Sequence, residues 1–545
     1  MIDMPKQKFM NEATYKKYLE SGNESMFDQL FDNSLQEVQK NFGAQNAMYI
    51  SGKAIYSNEL IEERSPIDSN IIIGTFQKGT REHAQTAIAN AQKAFGPWSK
   101  TKYIEKVSIF RNAASILSKR KFQIAAILSY ENGKSRYESI GEVDEAIDFM
   151  KYYANEMESN KGYARKNSTD PSAKKVESGF QGAPSDAEKV SIVLKPYGVF
   201  GVIAPFNFPI SISIGMSSAA MITGNTVVFK PSCSENMTML TGLKIYELFK
   251  DAGIPPGVFN YITGPGSILG EELVSSENVS GIAFTGSRSV GMNMLSKTFN
   301  SNKQKVFVVE MGGKNPAIIM KDADIDKAVS GVASAAFGYA GQKCSALSRV
   351  YIHESIKEQF ISKLIGKTRE LSIGNPLIKS TYIGPLISKS AFDRYDNAVK
   401  KAKDTAKILY GGNSVKTGLK GYYVEPTIIE TRHDNELVQK ELFAPILTIE
   451  TFTEIDEAIR MANDTEYGLT AGFYGKNLND IKRFINNIQA GVVYVNRKVS
   501  ATTGAMVGLH TFVGWKGSGL TGKGTGSKFY LQQFMKEQSI SVTEQ

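Results

Sequence analysis

Four short segments of this chain carry residue types that do chemistry when they meet. The first is Gly341-Gln342-Lys343-Cys344-Ser345, in which a glycine turn precedes one of only two cysteines, the other being Cys233. A cysteine in a turn between a helix and the apolar run 348–352 can be held exposed and oriented, and nearby amide dipoles or cations can favour its thiolate. Taken alone, a lone cysteine is more often a small buried hydrophobe. The second is Val306-Phe307-Val308-Val309-Glu310-Met311-Gly312-Gly313-Lys314-Asn315-Pro316. Glu310 ends an apolar run and meets a double glycine. A carboxyl group beside apolar surface has its pKa pushed up, which suits a general base near neutral pH, although a solvated acid at a strand end has the same local sequence.

The third segment is Pro205-Phe206-Asn207-Phe208-Pro209, followed later by Lys230-Pro231-Ser232. An asparagine fixed between prolines and aromatics can aim its amide at a developing oxyanion, or simply close an Asx turn. Lys230 ends an apolar run, where a sheet topology would let it reach a ribose or phosphate. The fourth is Phe284-Thr285-Gly286-Ser287, with Gly291 behind it. A small-residue turn between a strand and a helix N-terminus can face a pyrophosphate, although this is not the usual G-x-G-x-x-G pattern. Gly264-Pro265-Gly266 adds a second tight turn.

The elements that must position these residues are those of an α/β protein. Helical periods dominate from Arg81 to about Asp148. From Val190 onward, apolar strand candidates at 199–204, 226–229, 258–262 and 281–284 alternate with segments of helical length, the pattern of a parallel sheet with crossover helices. A second strand–helix series runs from Val306 to about Asn496, with a helix expected over 322–340. Residues 168–188, rich in Ser, Gly, Pro, Asp and Lys, read as a loop or exposed hairpin. Residues 1–50 read as a polar, helix-prone arm with a weak apolar pattern.

Composition excludes several classes. At 545 residues the chain exceeds the ~250–300 residues at which single cores stop growing, so two or more domains are expected. Two cysteines build no disulfide framework and fit a reducing compartment, here expected to be cytoplasmic. The formal charge of +9 permits attraction to anions, but no basic tract with interleaved aromatics stands out, so no nucleic-acid partner is expected. Met1 to Glu20 carries acids and no apolar segment, unlike a secretory signal. The uncharged stretch between Lys195 and Lys230 is interrupted by Pro196, Pro205, Pro209 and Gly224. It is read as strand, turn, short helix and strand rather than a membrane span.

In order, these segments resemble the aldehyde dehydrogenase superfamily. The pairing of Glu-Met-Gly-Gly-Lys-Asn-Pro with Gly-Gln-Lys-Cys is its most specific mark, joined by Gly374-Asn375-Pro376, Gly384-Pro385-Leu386 and Glu441-Leu442-Phe443-Ala444-Pro445. The resemblance spans roughly residues 50–540 and implies an α/β, aldehyde dehydrogenase-like fold. A Rossmann-type nucleotide-binding domain (51–167 and 191–305) would join an α/β catalytic domain (306–515) and a small β oligomerisation element (168–190 and 516–545), behind the arm at 1–50. By carry-over, Cys344 attacks an aldehyde carbon, Asn207 and the Cys344 N–H hold the oxyanion, and Glu310 activates the water that hydrolyses the thioester. Lys230 and Glu441 would contact cofactor riboses, Phe443 the nicotinamide ribose, and Gly286 and Ser287 the pyrophosphate, with Ser232 and Gly264 also lining the cofactor site. Ala444 stands where the family usually has glycine. Many members have a glutamate at the position of Cys233 to hold the adenosine 2′-hydroxyl, so NAD is the expected cofactor and NADP a possible one. A homo-oligomer, at least a dimer, is implied.

The branch it looks most like oxidises L-glutamate 5-semialdehyde, the open form of 1-pyrroline-5-carboxylate, to L-glutamate in proline catabolism. Ser345-Ala346-Leu347-Ser348-Arg349 and Thr502-Thr503-Gly504-Ala505-Met506-Val507-Gly508 carry that resemblance, with the long N-terminal arm and the Phe-Met-Lys-Glu-Gln ending at 534–538. Backbone N–H groups of Gly504 and Ala505, with the Ser345 hydroxyl, would hold the substrate carboxylate without a buried unpaired cation. Phe208 and Phe512 would flank its aliphatic part, and Glu145 would face the aldehyde site. Leu509-His510-Thr511-Phe512-Val513-Gly514 departs from the branch's usual loop. Another carboxylated aldehyde such as succinate semialdehyde therefore stays open as substrate. A non-catalytic scaffold or nucleic-acid binder of this fold is the alternative of another kind.

Overall fold

The computed structural model describes residues 9–166, 188–299 and 304–543. Most of the hairpin expected at 168–190 lies outside these residues. The first sheet has seven strands: β1 (Met48–Ile50), β2 (Lys53–Ile55), β3 (Val199–Ile203), β4 (Thr226–Lys230), β5 (Phe259–Tyr261), β6 (Gly281–Thr285) and β7 (Val306–Glu310). Their spatial order is β7-β6-β3-β4-β5-β1-β2. The five strands from β7 to β5 are parallel, and β1 and β2 close the far edge antiparallel. All five residues of β4 are buried, which fits a strand packed on both faces.

The chain lays β3, β4 and β5 outward in one direction, then returns to place β6 and β7 on the other side of β3. Strand order reverses there, and a crevice opens at the carboxyl ends of β3 and β6. The Asn207 loop follows β3, Pro231-Ser232 follows β4, Gly264 follows β5, Gly286-Ser287 follows β6, and Glu310 is the last residue of β7. Topology alone therefore gathers residues from five stretches of chain at one sheet edge.

The second sheet comprises β8 (Asn315–Ile319), β9 (Leu347–His353), β10 (Lys407–Tyr410), β11 (Thr427–Glu430), β12 (Ile446–Phe452), β13 (Thr470–Tyr474) and β14 (Val492–Val495). Its order is β10-β11-β12-β9-β8-β13-β14, parallel except for β10. The chain passes from one sheet to the other through Met311-Gly312-Gly313-Lys314 alone. The 305/306 boundary expected from sequence precedes this crossing by one strand, because Val306 to Glu310 pair with Gly281 to Thr285 of the first sheet. A smaller antiparallel sheet places Glu188–Pro196 between Ala164–Lys166 and Met535–Thr543.

Helices α1 (Thr14–Glu20) and α2 (Glu24–Gln39) form most of the N-terminal arm. Phe27, Phe31, Leu35 and Val38 recur at i, i+4, i+8 and i+11 and are buried against α3 (Lys121–Asn132). Each such burial contributes roughly 2 kcal/mol, so the arm packs into the core rather than trailing from it. Helix α4 (Arg136–Ser159) follows, with Ser135 as its N-cap. The uncharged stretch after Lys195 forms β3, α5 (Ser211–Ile222) and β4, with every residue of α5 except Ile212 buried. Among the described residues no helix is long and apolar enough to cross a membrane.

Candidate active site

The cysteine turn begins where α6 (Ile325–Phe337) ends. Asp324 caps that helix by accepting from Lys327 N at 3.1 Å, so the helix is shorter than the 322–340 expected. Tyr339, Ala340 and Gly341 then adopt left-handed backbone conformations, with φ of 51°, 52° and 67°. Such residues persist only where surroundings over-determine them. Here the Tyr339 hydroxyl donates to Asn132 O (3.0 Å), and Gln342 accepts from Ile387 N (2.9 Å) while donating to Pro385 O (3.3 Å). A side chain at Gly341 would lie 2.5 Å from Ala444 O. Cys344 emerges buried, 8% exposed.

The double glycine brings Glu310 and Cys344 together. A Cβ on Gly313 would sit 2.4 Å from Cys344 O, and one on Gly312 would meet the Glu441 carboxylate. Asn315 Nδ2 donates to both Cys344 O and Ala346 O at 2.8 Å. Glu310 lines the same cavity as Cys344. Its Oε1 is buried without a partner among the described residues. Burial raises its carboxyl to about 7, against the pull of a hydrogen bond with the Cys344 thiol. Burial and the neighbouring Glu310 hold the Cys344 thiol well above its ordinary range. Burial and Glu310 thus work against the thiolate, while the Ser345 backbone N–H favours it, as expected of a local amide dipole. The adjacent cation, Lys343, is bound to both oxygens of Glu138 at 2.7 and 2.6 Å.

Asn207, 4% exposed, donates from Nδ2 to Gln342 O at 3.1 Å, which ties its amide to the cysteine turn and leaves its second N–H unused by that bond. A wholly buried ion pair supports the loop. Lys134 Nζ lies 2.5 Å from Glu142 Oε2 and 3.6 Å from the centre of the Phe208 ring. Glu142 Oε1 accepts from Ile210 N (2.8 Å) and Ser211 N (3.2 Å), so it caps α5 where the Asn207 loop enters it. Lys134 and Glu142 escaped the sequence reading because a lysine and a helical glutamate ordinarily read as solvated.

Cys344 and Glu310 open into a cavity of about 390 Å³. Every residue expected at the substrate lines it: Ser345, Gly504, Ala505, Phe208, Phe512 and Glu145. Among the described residues the N–H groups of Gly504 and Ala505 are not used in backbone hydrogen bonds. The anion wall also holds a half-buried cation that is already engaged. Arg497 lines it, donating to Thr503 O (2.8 Å) and Gly504 O (3.2 Å) with its guanidinium 4.3 Å from the Tyr494 ring centre. No motif marks Arg497. Glu12 of the arm also lines the cavity, unforeseen because that segment looked peripheral. Burial raises Glu12 to about 7 and Glu145 to about 8.

The candidate cofactor residues lie along the crevice of the first sheet. Lys230 is 4% exposed and its Nζ donates to Pro231 O at 3.1 Å; among the described residues it has no carboxylate partner. A buried ammonium facing only a carbonyl fits a ribose or phosphate ligand. Ser232 is half-buried, Gly264 takes φ 153°, and Ser287 stands exposed at the start of a helix beside Gly286. Glu441 accepts from Gly313 N at 2.7 Å, and burial raises it to about 7. Phe443, left-handed at φ 52°, packs edge-on to Phe206 at 5.8 Å. Cys233 is buried, with Sγ 3.1 Å from Pro231 O, and packs with Phe76 and Met239. No group of three or more His, Cys, Asp or Glu among the described residues forms a metal site.

A buried thiol facing an acceptor carboxylate, beside a crevice at the switch point of a parallel sheet, defines an oxidoreductase that works on a carbonyl carbon. The chain belongs to the aldehyde dehydrogenase family, whose model matches residues 54–540. It is 34% identical over 518 residues to the 1-pyrroline-5-carboxylate dehydrogenase of Bacillus cytotoxicus, covering 94% of this chain and 95% of that one. The crystal structure of 1-pyrroline-5-carboxylate dehydrogenase from Thermus with bound NAD superposes with a TM-score of 0.87 at 30% identity, over 95% of this chain and 96% of that one. Betaine aldehyde dehydrogenase from Staphylococcus aureus in complex with NAD+ superposes at 0.85 with 28% identity, over 94% and 97%.

Proposed function

We propose that this aldehyde dehydrogenase oxidises L-glutamate 5-semialdehyde to L-glutamate with NAD, a step of proline catabolism. One observation carries this: the thiol and carboxylate line the same cavity as Ser345, Gly504 and Ala505, an amide-rich surface suited to a carboxylate. The similarity to 1-pyrroline-5-carboxylate dehydrogenases supports it.

Cys344 Sγ adds to the aldehyde carbon as its proton passes to Glu310. The charge that develops on the carbonyl oxygen meets Asn207 Nδ2 and the Cys344 N–H. Bound NAD would supply the acceptor for the hydride of the substrate carbon. A thioester on Cys344 remains. Glu310, having passed the thiol's proton on to solvent, then takes a proton from water, whose oxygen adds to the thioester carbon; collapse expels the sulfur, which takes up that proton, and frees the acid. Lys230, Ser232, Gly264, Gly286, Ser287, Glu441 and Phe443 hold the cofactor, and Phe208 and Phe512 flank the substrate's methylenes. Cys233, in place of an acid, weakens the rejection of a 2′-phosphate, so NADP also serves. The small antiparallel sheet, with strands from both sides of the chain, joins protomers into at least a dimer. Two free cysteines fit a cytoplasmic enzyme.

The test is reduction of NAD or NADP, read by the reduced nicotinamide's absorbance, across aldehydes with Cys344→Ala as control. Glutamate semialdehyde is expected to give the highest kcat/KM. A higher value for succinate semialdehyde moves the substrate, and no turnover with any carboxylated aldehyde overturns the proposal.

A further inference from the structure

Besides Glu310, four carboxylates, Glu12, Glu138, Glu142 and Glu145, line the cavity. Two are neutralised: Glu138 by Lys343 and Glu142 by Lys134. Arg497 is engaged with backbone carbonyls. Among the described residues neither Glu12 nor Glu145 is ion-paired to a cation. Two such acids in one low-dielectric cavity are costly without a positive charge, and a substrate ammonium is a charge that would enter and leave with turnover.

Glu12 is held in place from outside the cavity. Asp148 Oδ1 and Oδ2 accept from Met10 N (2.7 Å) and Asn11 N (2.8 Å), and Asp144 accepts from Thr14 N (3.0 Å) and the Thr14 hydroxyl (2.8 Å). Between these clamps Asn11 and Glu12 take left-handed φ of 49° and 52°, which costs roughly 1 kcal/mol or more each. Two buried aspartates on α4 thus enforce an otherwise disfavoured backbone whose effect is to turn one carboxylate inward, beside Gly141.

We infer that Glu12 is a specificity residue: its carboxylate is the counter-charge for the substrate's α-ammonium group, so the N-terminal arm completes the substrate pocket. This rests on the α-amino aldehyde acid proposed above. The carboxylate of such a substrate goes to the Gly504-Ala505 wall, and its ammonium, on the same carbon, faces the acids of α4 and the arm.

The experiment compares glutamate semialdehyde with 5-oxopentanoate, the same aldehyde acid lacking the amino group, in wild type, Glu12→Gln and Glu12→Asp. Glu12→Gln is expected to lower kcat/KM for glutamate semialdehyde roughly 10- to 100-fold, the range for losing a charged hydrogen bond. The loss should fall mainly in KM, leave 5-oxopentanoate within about twofold, and be partly restored in Glu12→Asp. An equal loss on both substrates makes Glu12 merely structural and overturns the inference, as does no loss on either. Wild type inactive on glutamate semialdehyde would instead overturn the proposed substrate, and is seen before any variant is made.

Discussion

The side-chain amide of Asn315 donates at 2.8 Å to the carbonyl oxygen of Cys344. The first residue of β8 thereby holds the nucleophile's turn against the chain that has just left the general base. Gly313 lies between, where a Cβ would be 2.4 Å from that same carbonyl. Gly313→Ala must therefore push the cysteine turn away from Glu310. A displacement of about 1 Å can cost 10²-fold in rate, so kcat should fall by roughly that factor while circular dichroism stays native. A variant with wild-type kcat would show that the close approach is not needed.

Glu310 titrates near neutrality in this cavity, its carboxyl raised to about 7 by burial. Its base form is lost as pH falls through that value. Hydrolysis of the thioester should decline tenfold per pH unit below about 7, reported by kcat when deacylation limits turnover. Glu310→Gln should abolish that limb and, because Glu310 also accepts the thiol's proton, slow the burst of reduced cofactor as well. A pH profile flat between 5 and 7, taken as roughly two units below the raised value, would remove Glu310 as the base.

Asn207 is tied to the cysteine turn through Gln342 O. Removal of one oxyanion donor costs about 10²–10³ in kcat. Asn207→Ala should show that loss with little change in cofactor affinity, measured by fluorescence titration. A fall in affinity alone would assign the residue to packing.

Lys134 and Glu142 form an ion pair with no solvent exposure on either side chain. Lys134→Met leaves Glu142 buried without its cation, which costs about 3–5 kcal/mol. The denaturation midpoint should drop accordingly, and kcat with it, because Glu142 also caps the helix that follows Asn207. A loss below about 1 kcal/mol would mean that the Ile210 and Ser211 N–H groups suffice to satisfy the carboxylate.

Much of the site was legible from local chemistry. Cys344, Glu310 and Asn207 each sit where a glycine or proline punctuates an apolar run, and such punctuation marks a strand end or a turn regardless of what packs on it. The strands around Asn207, Lys230 and Gly286 were likewise readable, since a parallel strand buried on both faces is a continuous apolar run. The arm was not. Phe27, Phe31, Leu35 and Val38 hold helical spacing, but the polar residues between them hid a face that only α3 reveals.

The charges divide most sharply. On its own the sequence determined which groups are present to react and their order along the chain, because motif residues carry their chemistry in their identity and local backbone. Only the tertiary structure decided which charges are neutralised. Lys134 pairs with Glu142, Lys343 with Glu138, and Asp144 and Asp148 with backbone of the arm. Glu12 and Glu145 are left facing the cavity. The physical reason is that desolvation and pairing depend on which segments pack together. A carboxylate's neighbours in space come from stretches of chain far away in sequence, and those neighbours set whether it is a cap, a counter-ion or a base.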